Sequence, residues 1–154
     1  MNVYVDANFL VHMYLELPGC DEAVRRLNSR SGRRAWPHPV THLLRFEIVN
    51  AFQRLVFESR SGGQCRVTPE SSAMALADFE QDLSDGMFLA RSPLTLEDME
   101  SEFDSLVARY TAREGFRTYD VLHVASARTL NCGEFLTFDD KAKKLASLAG
   151  MKTN

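Results

Sequence analysis

Four carboxylates have the residue type and placement to form a metal site: Asp6, Glu47, Asp120 and Asp139. Asp6 and Asp139 each follow a short run of strand-forming residues. Glu47 lies in the middle of a long helical pattern, and Asp120 lies in the first turn of another. Carboxylates that come together repel one another unless cations neutralise them. Ions of the Mg²⁺ type bind carboxylate oxygen, and a pair of them can activate a water and stabilise both oxygens of a phosphodiester displacement. The pattern therefore predicts a divalent-metal site suited to phosphodiester hydrolysis.

Each of these acids also has an ordinary structural explanation. Asp6 and Asp139 could cap the helices that follow them. Asp120 would gain about 0.3–1 kcal/mol from the helix dipole in its first-turn position. Glu47 could be a boundary residue paired with a nearby arginine. Their recurrence is more specific than any one of them, because strand-end acids of a parallel sheet lie at one edge, where ligands bind.

Other metal chemistries have little support in the sequence. The three cysteines are widely spaced and form no Cys-x-x-Cys pair, so we expect reduced thiols and no disulfide or thiolate zinc site. No two histidines are closely spaced in a ligand-like pair. His123 follows Asp120 by three residues on the same helix face. A histidine in such a position is more often a packed, hydrogen-bonded side chain than a ligand.

Hydrophobic periodicity and chain breakers divide the sequence into alternating strands and helices. Strands are predicted over 2–6, 35–39, 87–91 and 135–138, and helices over 8–15, 21–28, 42–59, 69–83, 95–113, 119–130 and 140–149, with a loop over 29–34. The connections are long enough for parallel crossovers. We therefore predict an α/β fold in which a parallel sheet has helices on both faces, forming a single domain over residues 1–154.

Two of these elements bear directly on the site. The helix over 42–59 presents a broad apolar arc, and Glu47 lies at the margin of that arc beside Asn50 and Arg54. The strand over 35–39 contains two prolines. Because proline has no N–H to donate, this strand is confined to a sheet edge or to a brief extended piece.

Charge is unevenly distributed along the 154-residue chain. The net charge is −3, so the molecule as a whole is not a generic polyanion binder. Residues 24–66 contain nine arginines against two acids, whereas residues 70–104 contain ten acids against one arginine. The first region could form a phosphate-attracting face, or simply a set of solvated helix surfaces. The candidates for contacts to a phosphate backbone are Arg33, Arg34, Arg45 and Arg54.

The hydrophobic content of the chain, 45%, is ordinary for a soluble globular protein. No apolar run is long enough to span a bilayer, and Met1 leads straight into the first strand. We therefore expect no signal peptide, no membrane association and a location in the cytoplasm.

Four segments carry a resemblance to a known family: Val5–Val11, Phe46–Ala51, Tyr119–Ala127 and Phe135–Asp139. Together they resemble a PIN domain, and their order and spacing are most similar to the VapC toxins of bacterial toxin–antitoxin systems. The resemblance covers essentially the whole chain. It implies a Mg²⁺- or Mn²⁺-dependent endoribonuclease and usually a homodimer. It also implies a VapB-like antitoxin that inserts a segment near the active site.

The resemblance assigns roles residue by residue. Asn8 stands where the family often has Ser or Thr, which leaves its part in positioning water or phosphate open. Thr137 matches the small hydroxyl residue before the last acid. Asp140 is a second acid directly after Asp139. Asp139 is favoured as the site residue because it follows the predicted strand directly, and Asp140 could instead interact with the dipole of the last helix. Carried over by motif, the metal-binding and catalytic quartet is Asp6, Glu47, Asp120 and Asp139.

Two other functions are compatible with parts of the pattern. The chain could be a catalytically silent PIN-like module that binds RNA or a protein, although the presence of all four acids argues against this. It could also be a phospho-acceptor or phosphatase-like domain with Asp6 as the nucleophile. Such sites typically need a second Asp two residues on or a dedicated lysine. Position 8 is Asn, and Lys141 is the first lysine of the chain, so this function is disfavoured.

Overall fold

The structure, a computed structural model, describes residues 2–154, with the backbone alone at position 30. Its strands are β1 (Asn2–Val5), β2 (His38–Val40), β3 (Leu89–Arg91), β4 (Cys132–Leu136) and β5 (Lys152–Thr153). Its helices are α1 (Ala7–Tyr14), α2 (Cys20–Asn28), α3 (Arg30–Arg34), α4 (His42–Arg60), α5 (Pro69–Asp85), α6 (Leu96–Leu106), α7 (Ala112–Glu114), α8 (Thr118–Thr129) and α9 (Asp140–Leu148). A π-helical segment, Val107–Thr111, joins α6 to α7.

The strands pair in parallel, which confirms the predicted α/β class. β4 lies between β1 and β5, and β2 pairs with β3. Val3, Tyr4 and Val5 of β1 are all buried, although successive residues of a strand point to opposite faces. Both faces of β1 are therefore covered, as is typical of a parallel strand in an α/β protein.

The strands form two sheets, whereas one sheet was predicted. β2 lies beside β1, and the His38 ring is 3.3 Å from the Val3 carbonyl oxygen. The backbone groups of His38 and Val40 are hydrogen-bonded to residues that flank β3. Backbone groups of successive strand residues face opposite neighbours, so those of the residue between them face β1. That residue is Pro39, which has no N–H to donate to a ladder. The brief extended piece expected from the prolines is therefore also the point where the sheet is interrupted.

β4 lies earlier in the chain than predicted, and β5 was not predicted. β4 ends at Leu136, so the prediction that Asp139 directly follows a strand is wrong. The Thr137 N–H donates to the Asn154 side chain at 3.0 Å, and the next N–H donates to the Asn8 side chain at 2.9 Å. These two backbone N–H groups therefore donate to side chains, whereas in a longer β4 they would be available to a neighbouring strand. β5 is too short to show a periodic pattern.

α3 occupies the stretch 29–34 that was predicted as a loop. Ser29 caps it, because its Oγ accepts a hydrogen bond from the Gly32 N–H at 3.0 Å. A Cβ at Gly32 would lie 2.4 Å from the carbonyl oxygens of Arg26 and Leu27. Glycine therefore lets α3 pack directly against the end of α2. The prediction failed because serine and glycine within a short polar stretch usually mark a loop.

α4 carries Glu47, and its predicted apolar arc is confirmed. Thr41 caps the helix by accepting a hydrogen bond from the Leu44 N–H at 3.2 Å. The buried residues of α4 recur at four-residue intervals and are Leu44, Ile48, Phe52 and Val56. Glu47 lies one position before Ile48, and its side chain is 40% exposed. The burial of this row sets the rotation of α4 and so the direction in which Glu47 points.

Two further expectations concern the described residues as a whole. Cys20, Cys65 and Cys132 are free thiols, as predicted. Within residues 2–154, no helix combines the length and the apolar character that crossing a membrane requires.

Candidate metal centre

Asp6 directly follows β1, and the residue is only 6% exposed. Its Oδ1 caps α1 by accepting from the Ala7 N–H at 2.8 Å. Its Oδ2 accepts from the Thr137 hydroxyl at 2.7 Å and from the Asn8 amide at 3.3 Å. The backbone is also fixed, because the Asp6 N–H donates to the Leu136 carbonyl at 2.9 Å. The capping explanation for Asp6 is correct, but capping engages only one of its carboxylate oxygens.

Thr137 and Asn8 join the end of β4 to the start of α1. The buried Thr137 Oγ1 accepts from the Asn8 amide and from the Asp139 N–H, each at 3.0 Å. The Asn8 Oδ1 in turn accepts from the Phe138 N–H at 2.9 Å. The two side chains therefore hold the Asp6 carboxylate in place and direct the chain into α9.

Glu47 approaches the same region from α4 and is bound by a histidine. Its Oε2 is hydrogen-bonded to Nε2 of the buried His123 in α8. The His123 Nδ1 is 2.8 Å from the Tyr4 hydroxyl. Tyr4 is fully buried in β1 and stacks on Phe135 of β4, with ring centroids 5.3 Å apart. A chain of hydrogen bonds therefore runs from the core of the sheet to Glu47.

Asp6, Glu47 and His123 form one cluster, in which one potential ligand atom from each lies within 4.8 Å of the others. Burial raises the pKa of Asp6 despite the nearby charge of His123. Burial opposes protonation of His123, but the hydrogen bond that it donates to Glu47 and the charge of Asp6 outweigh this effect and raise the pKa of His123. Of the side chains that the structure describes, no lysine or arginine forms an ion pair with Asp6 or Glu47.

Asp120 lies in the first turn of α8, three residues before His123. Its Oδ2 accepts from the Arg117 N–H at 3.2 Å. Asp120 and His123 lie three residues apart on one face of α8, and the charge of Asp120 contributes to the raised pKa of His123. Among the described residues, the group within 4.8 Å consists of Asp6, Glu47 and His123, and Asp120 lies outside it.

Asp139 caps α9. Its Oδ1 accepts from the N–H groups of Lys141 and Ala142 at 2.8 and 3.0 Å. Among the described residues, its Oδ2 accepts no hydrogen bond, and this oxygen is therefore free to bind an ion or a water. Asp140 is the first residue of α9 and is exposed, a position in which a carboxylate is stabilised by the helix dipole.

Glu47 lines two hollows on the surface. The larger, which we call the aromatic cleft, has a volume of about 500 Å³ and is lined by Phe46, Glu47, Asn50, Arg54 and Tyr119 among others. The smaller has a volume of about 230 Å³ and extends from Glu47 and Arg54 toward Asn8. An extended substrate could therefore run along α4 and pass Glu47.

The four predicted phosphate-contacting arginines have different surroundings. Arg54 is exposed and lines both hollows beside Glu47. Arg45 is bound to Glu80, with Nη2 and Oε1 2.6 Å apart. Arg33 and Arg34 are exposed on α3. Of the four, Arg54 is the one that lines both of the hollows that Glu47 also lines.

The donors of this cluster suit a hard divalent cation. Carboxylate oxygens are the ligands that Mg²⁺ and Mn²⁺ prefer. Asp6 is buried without a lysine or arginine ion-pair partner among the described side chains, and a cation would offset the cost of burying its charge. Asp6 and Glu47 would hold the ion. His123, which is hydrogen-bonded to Glu47, would orient that carboxylate.

The family model described as PIN domain matches residues 3–148, which extend from β1 into α9. The chain belongs to the PIN domain family. PIN domains are commonly metal-dependent nucleases, and PIN nucleases typically bind RNA. No curated protein matches the chain significantly. Family membership thus gives a nuclease-type fold to a chain whose acidic cluster could bind metal.

His123 is the residue of the PIN domain's cluster that the sequence did not assign to the site. Its spacing from Asp120 indicated the shared helix face, but the packed position was favoured over a role at the metal. Both descriptions apply, because His123 is buried and its hydrogen bond reaches Glu47. Tyr4 was treated only as a strand residue. The available signal was a hydroxyl-bearing ring in an otherwise apolar buried strand, which requires a hydrogen-bond partner.

Replacing Tyr4 with phenylalanine should weaken metal binding without removing a ligand. The variant loses the hydroxyl partner of the His123 Nδ1, so His123 holds Glu47 less firmly. Mutating a residue that supports the metal ligands without touching the metal typically lowers metal affinity by ~10–100-fold. For Tyr4→Phe we expect the lower end of this range, about tenfold. Isothermal titration with Mn²⁺ measures this change.

The matched control for this change is Tyr14→Phe. Tyr14 lies at the last position of α1 and donates to Asp82 of α5, and neither residue belongs to the cluster. Its replacement therefore removes a tyrosine hydrogen bond without affecting the partners of Glu47. Both variants should lose stability, Tyr4→Phe by about 1–3 kcal/mol because it leaves a buried group unpaired. Only Tyr4→Phe should weaken Mn²⁺ binding, and equal Mn²⁺ affinity in the two variants would contradict the proposed support of Glu47.

Proposed function

We propose that this PIN domain is a Mg²⁺- or Mn²⁺-dependent endoribonuclease and the toxin component of a VapBC-type toxin–antitoxin system. The observation that carries the nuclease proposal is the buried Asp6 carboxylate, which is grouped with Glu47 and His123 and has no lysine or arginine ion-pair partner among the described side chains. A carboxylate in such a setting is stabilised by a divalent cation. Membership of the PIN family supports the same chemistry.

In this proposal Asp6 and Glu47 hold the metal, and the residues behind them fix its position. Thr137 keeps Asp6 Oδ2 in one orientation, and His123 does the same for Glu47. When bound, the cation lowers the pKa of a water ligand and neutralises charge that develops on the phosphate. The two carboxylates come from separate elements, so the site depends on the packing of α4 against α1, the helix that Asp6 caps.

Asp120 and Asp139 complete the acidic quartet in this proposal. Each caps or opens a helix through one carboxylate oxygen, and the other oxygen is available to an ion or its water shell. Magnesium usually keeps several waters, so acids at the margin of a site can act through them. Asp140 is assigned to the dipole of α9.

The proposed substrate is single-stranded or loop RNA. The two hollows that Glu47 lines leave room for a chain that passes the acids. Arg54 would contact its phosphates there, and the more distant Arg33 and Arg34 would attract the backbone at longer range. Arg45, already bound to Glu80, would contribute least.

The toxin assignment rests on the order and spacing of the four sequence motifs. It carries with it a VapB-like antitoxin as protein partner, a homodimer as the working form, one PIN-like domain over residues 1–154 and action in the cytoplasm, where its RNA substrates would be.

Cleavage of RNA under controlled metal supply tests the nuclease proposal. The purified protein should cut single-stranded RNA with Mg²⁺ or Mn²⁺, stop when EDTA is in excess, and resume when either metal is restored. Gel analysis of the fragments measures the rate. Undiminished cleavage in EDTA would contradict a metal-dependent mechanism.

One observation favours the second candidate, a catalytically silent PIN module that binds RNA or protein. Asp120 and Asp139 are both engaged at helix starts, and neither belongs to the described group within 4.8 Å. In a silent module, these two carboxylates would serve a structural purpose only. Mn²⁺ titration separates the candidates: a silent module would show no metal binding while it retained its partner.

A further inference from the structure

Two exposed aromatic side chains line the cleft that contains Glu47. Phe46 and Tyr119 are each 61% exposed, which is unusual for rings of this size. Phe46 directly precedes Glu47 in α4, and Tyr119 directly precedes Asp120 in α8. Each ring is therefore held by a regular helix, one residue from an acid of the proposed site.

The core of the protein does not account for these rings. The buried row of α4 starts from Leu44 and Ile48, and Phe46 lies between them on the outer side of the helix. The aromatic neighbour of Phe46 among the described residues is His42, with ring centroids 6.1 Å apart and tilted planes. This arrangement leaves the larger part of the Phe46 ring open to a ligand.

The same cleft carries the polar groups that a nucleotide requires. Arg54 can bind a phosphate, and Asn50 offers a donor and an acceptor to the edge of a base. The volume of about 500 Å³ is in the range of sites for small ligand groups. Single-stranded RNA is bound by stacking its splayed bases on aromatic side chains.

We propose that Phe46 and Tyr119 form a stacking site for unpaired RNA bases next to the phosphate that is cut. This proposal rests on the proposed function and names how the substrate is recognised. Stacking accepts any base, because every base has a π-face. The cleft therefore selects for single-stranded RNA over duplex RNA, whose bases are stacked within the helix.

The variants that test this proposal are Phe46→Ala and Tyr119→Ala. Their matched controls are Phe57→Ala and Tyr119→Phe. Phe57 lies on the same helix and is 70% exposed, but it does not line the aromatic cleft. Tyr119→Phe keeps the ring and removes the hydroxyl.

The measurement is the dissociation constant of a short single-stranded oligoribonucleotide with Ca²⁺ in place of Mg²⁺, and kcat/KM for the same RNA with Mg²⁺. Each alanine variant in the cleft should weaken RNA binding by about fivefold to 150-fold, the range expected for one lost base–aromatic stack. Phe57→Ala should remain within about twofold of the unmodified protein, as expected for a surface change outside the cleft. Tyr119→Phe should bind the RNA more tightly than Tyr119→Ala, because it keeps the ring on which a base stacks.

Abasic substitutions in the RNA distinguish stacking from a loss of structure. One base of the RNA is removed at a time. When the stacked base is removed, the affinity of the unmodified protein should fall by the same factor by which the alanine substitution lowers the affinity for intact RNA. Phe46→Ala or Tyr119→Ala should then show no additional loss with that abasic RNA.

Three outcomes separate the stacking proposal from the nuclease proposal. RNA that binds with the predicted dependence on both rings but is not cut would support stacking and overturn only the nuclease assignment. RNA that is cut and bound equally by Phe46→Ala and Phe57→Ala would overturn stacking and leave the nuclease assignment intact. A cleft whose alanine variants lose a protein partner and keep RNA binding would also overturn stacking.

Discussion

Replacing Asp6 with asparagine should abolish metal-dependent RNA cleavage while the protein remains folded. The substitution removes the charge of the buried carboxylate that we assign to the metal, yet asparagine can still accept the hydrogen bond from the Ala7 N–H. Loss of an outer-sphere partner already costs ~10–100-fold, so loss of a direct ligand should reduce kcat/KM by more than about 100-fold. Fragment analysis of a defined RNA with Mg²⁺ measures the rate.

Although Asp6→Asn should lose activity, it should keep or gain stability in the absence of metal. Burial raises the pKa of Asp6 in the folded state, so folding disfavours its ionised form. The ionised carboxylate therefore lowers the stability of the metal-free protein as the pH rises above the ordinary value near 3.8. In EDTA at neutral pH, the variant should unfold at the same or a higher urea concentration than the unmodified protein.

In the presence of metal, the unmodified protein should become more stable than Asp6→Asn. Under the proposed function Mn²⁺ would bind the folded state, so it should raise the melting temperature of the unmodified protein, whereas Asp6→Asn should show little or no shift. A variant that cleaves RNA at the full rate, or that gains as much stability from Mn²⁺, would remove Asp6 from the site.

Asp98→Asn is the matched control for this substitution. Hydrogen bonds from Thr95 lower the pKa of Asp98, so its ionised form stabilises the fold at neutral pH. That stabilisation is lost as the pH falls through the lowered pKa. Asp98→Asn should therefore be slightly less stable than the unmodified protein and should cleave RNA at an unchanged rate.

The elements that carry the proposed site could be predicted because their signals are local. β1 is a buried apolar run that ends in Asp6, and the structure places both as expected. The apolar arc of α4 fixed the margin on which Glu47 lies. Thr68 with Pro69 indicated the start of α5, since a cap followed by proline at the first helical position needs no tertiary contact.

The features that could not be predicted depend on contacts between distant residues. The hydrogen bonds that join Tyr4, His123 and Glu47 link positions more than 70 residues apart. The end of β4 is set by donors that turn toward the side chains of Asn8 and Asn154. Periodicity describes only residues that are neighbours along the chain. It therefore cannot indicate that a strand ends because its next backbone N–H donates to the side chain of a distant asparagine.

Truncation of Phe52 to alanine should cost about 3–5 kcal/mol of the free energy of unfolding, the usual range for a fully buried phenylalanine. Phe52 is 0% exposed in the buried row of α4 and packs edge-on against Phe79 of α5, with ring centroids 6.4 Å apart. Proteins of this size have only about 5–15 kcal/mol of stability, so the loss is a large fraction of the total. Urea unfolding in EDTA measures it without a contribution from bound metal.

Phe57→Ala makes the same truncation on the same helix, where the ring is 70% exposed. Surface substitutions away from special features usually stay within about 0.5 kcal/mol, so the difference between the two variants reports burial alone. Because Glu47 lies on α4, a cavity at Phe52 should also loosen the helix that carries this proposed ligand. Phe52→Ala should therefore bind Mn²⁺ more weakly than Phe57→Ala under conditions in which both are folded. Equal stability of the two variants would show that the row of Phe52 does not hold α4 against the core, and that some other contact sets the direction of Glu47.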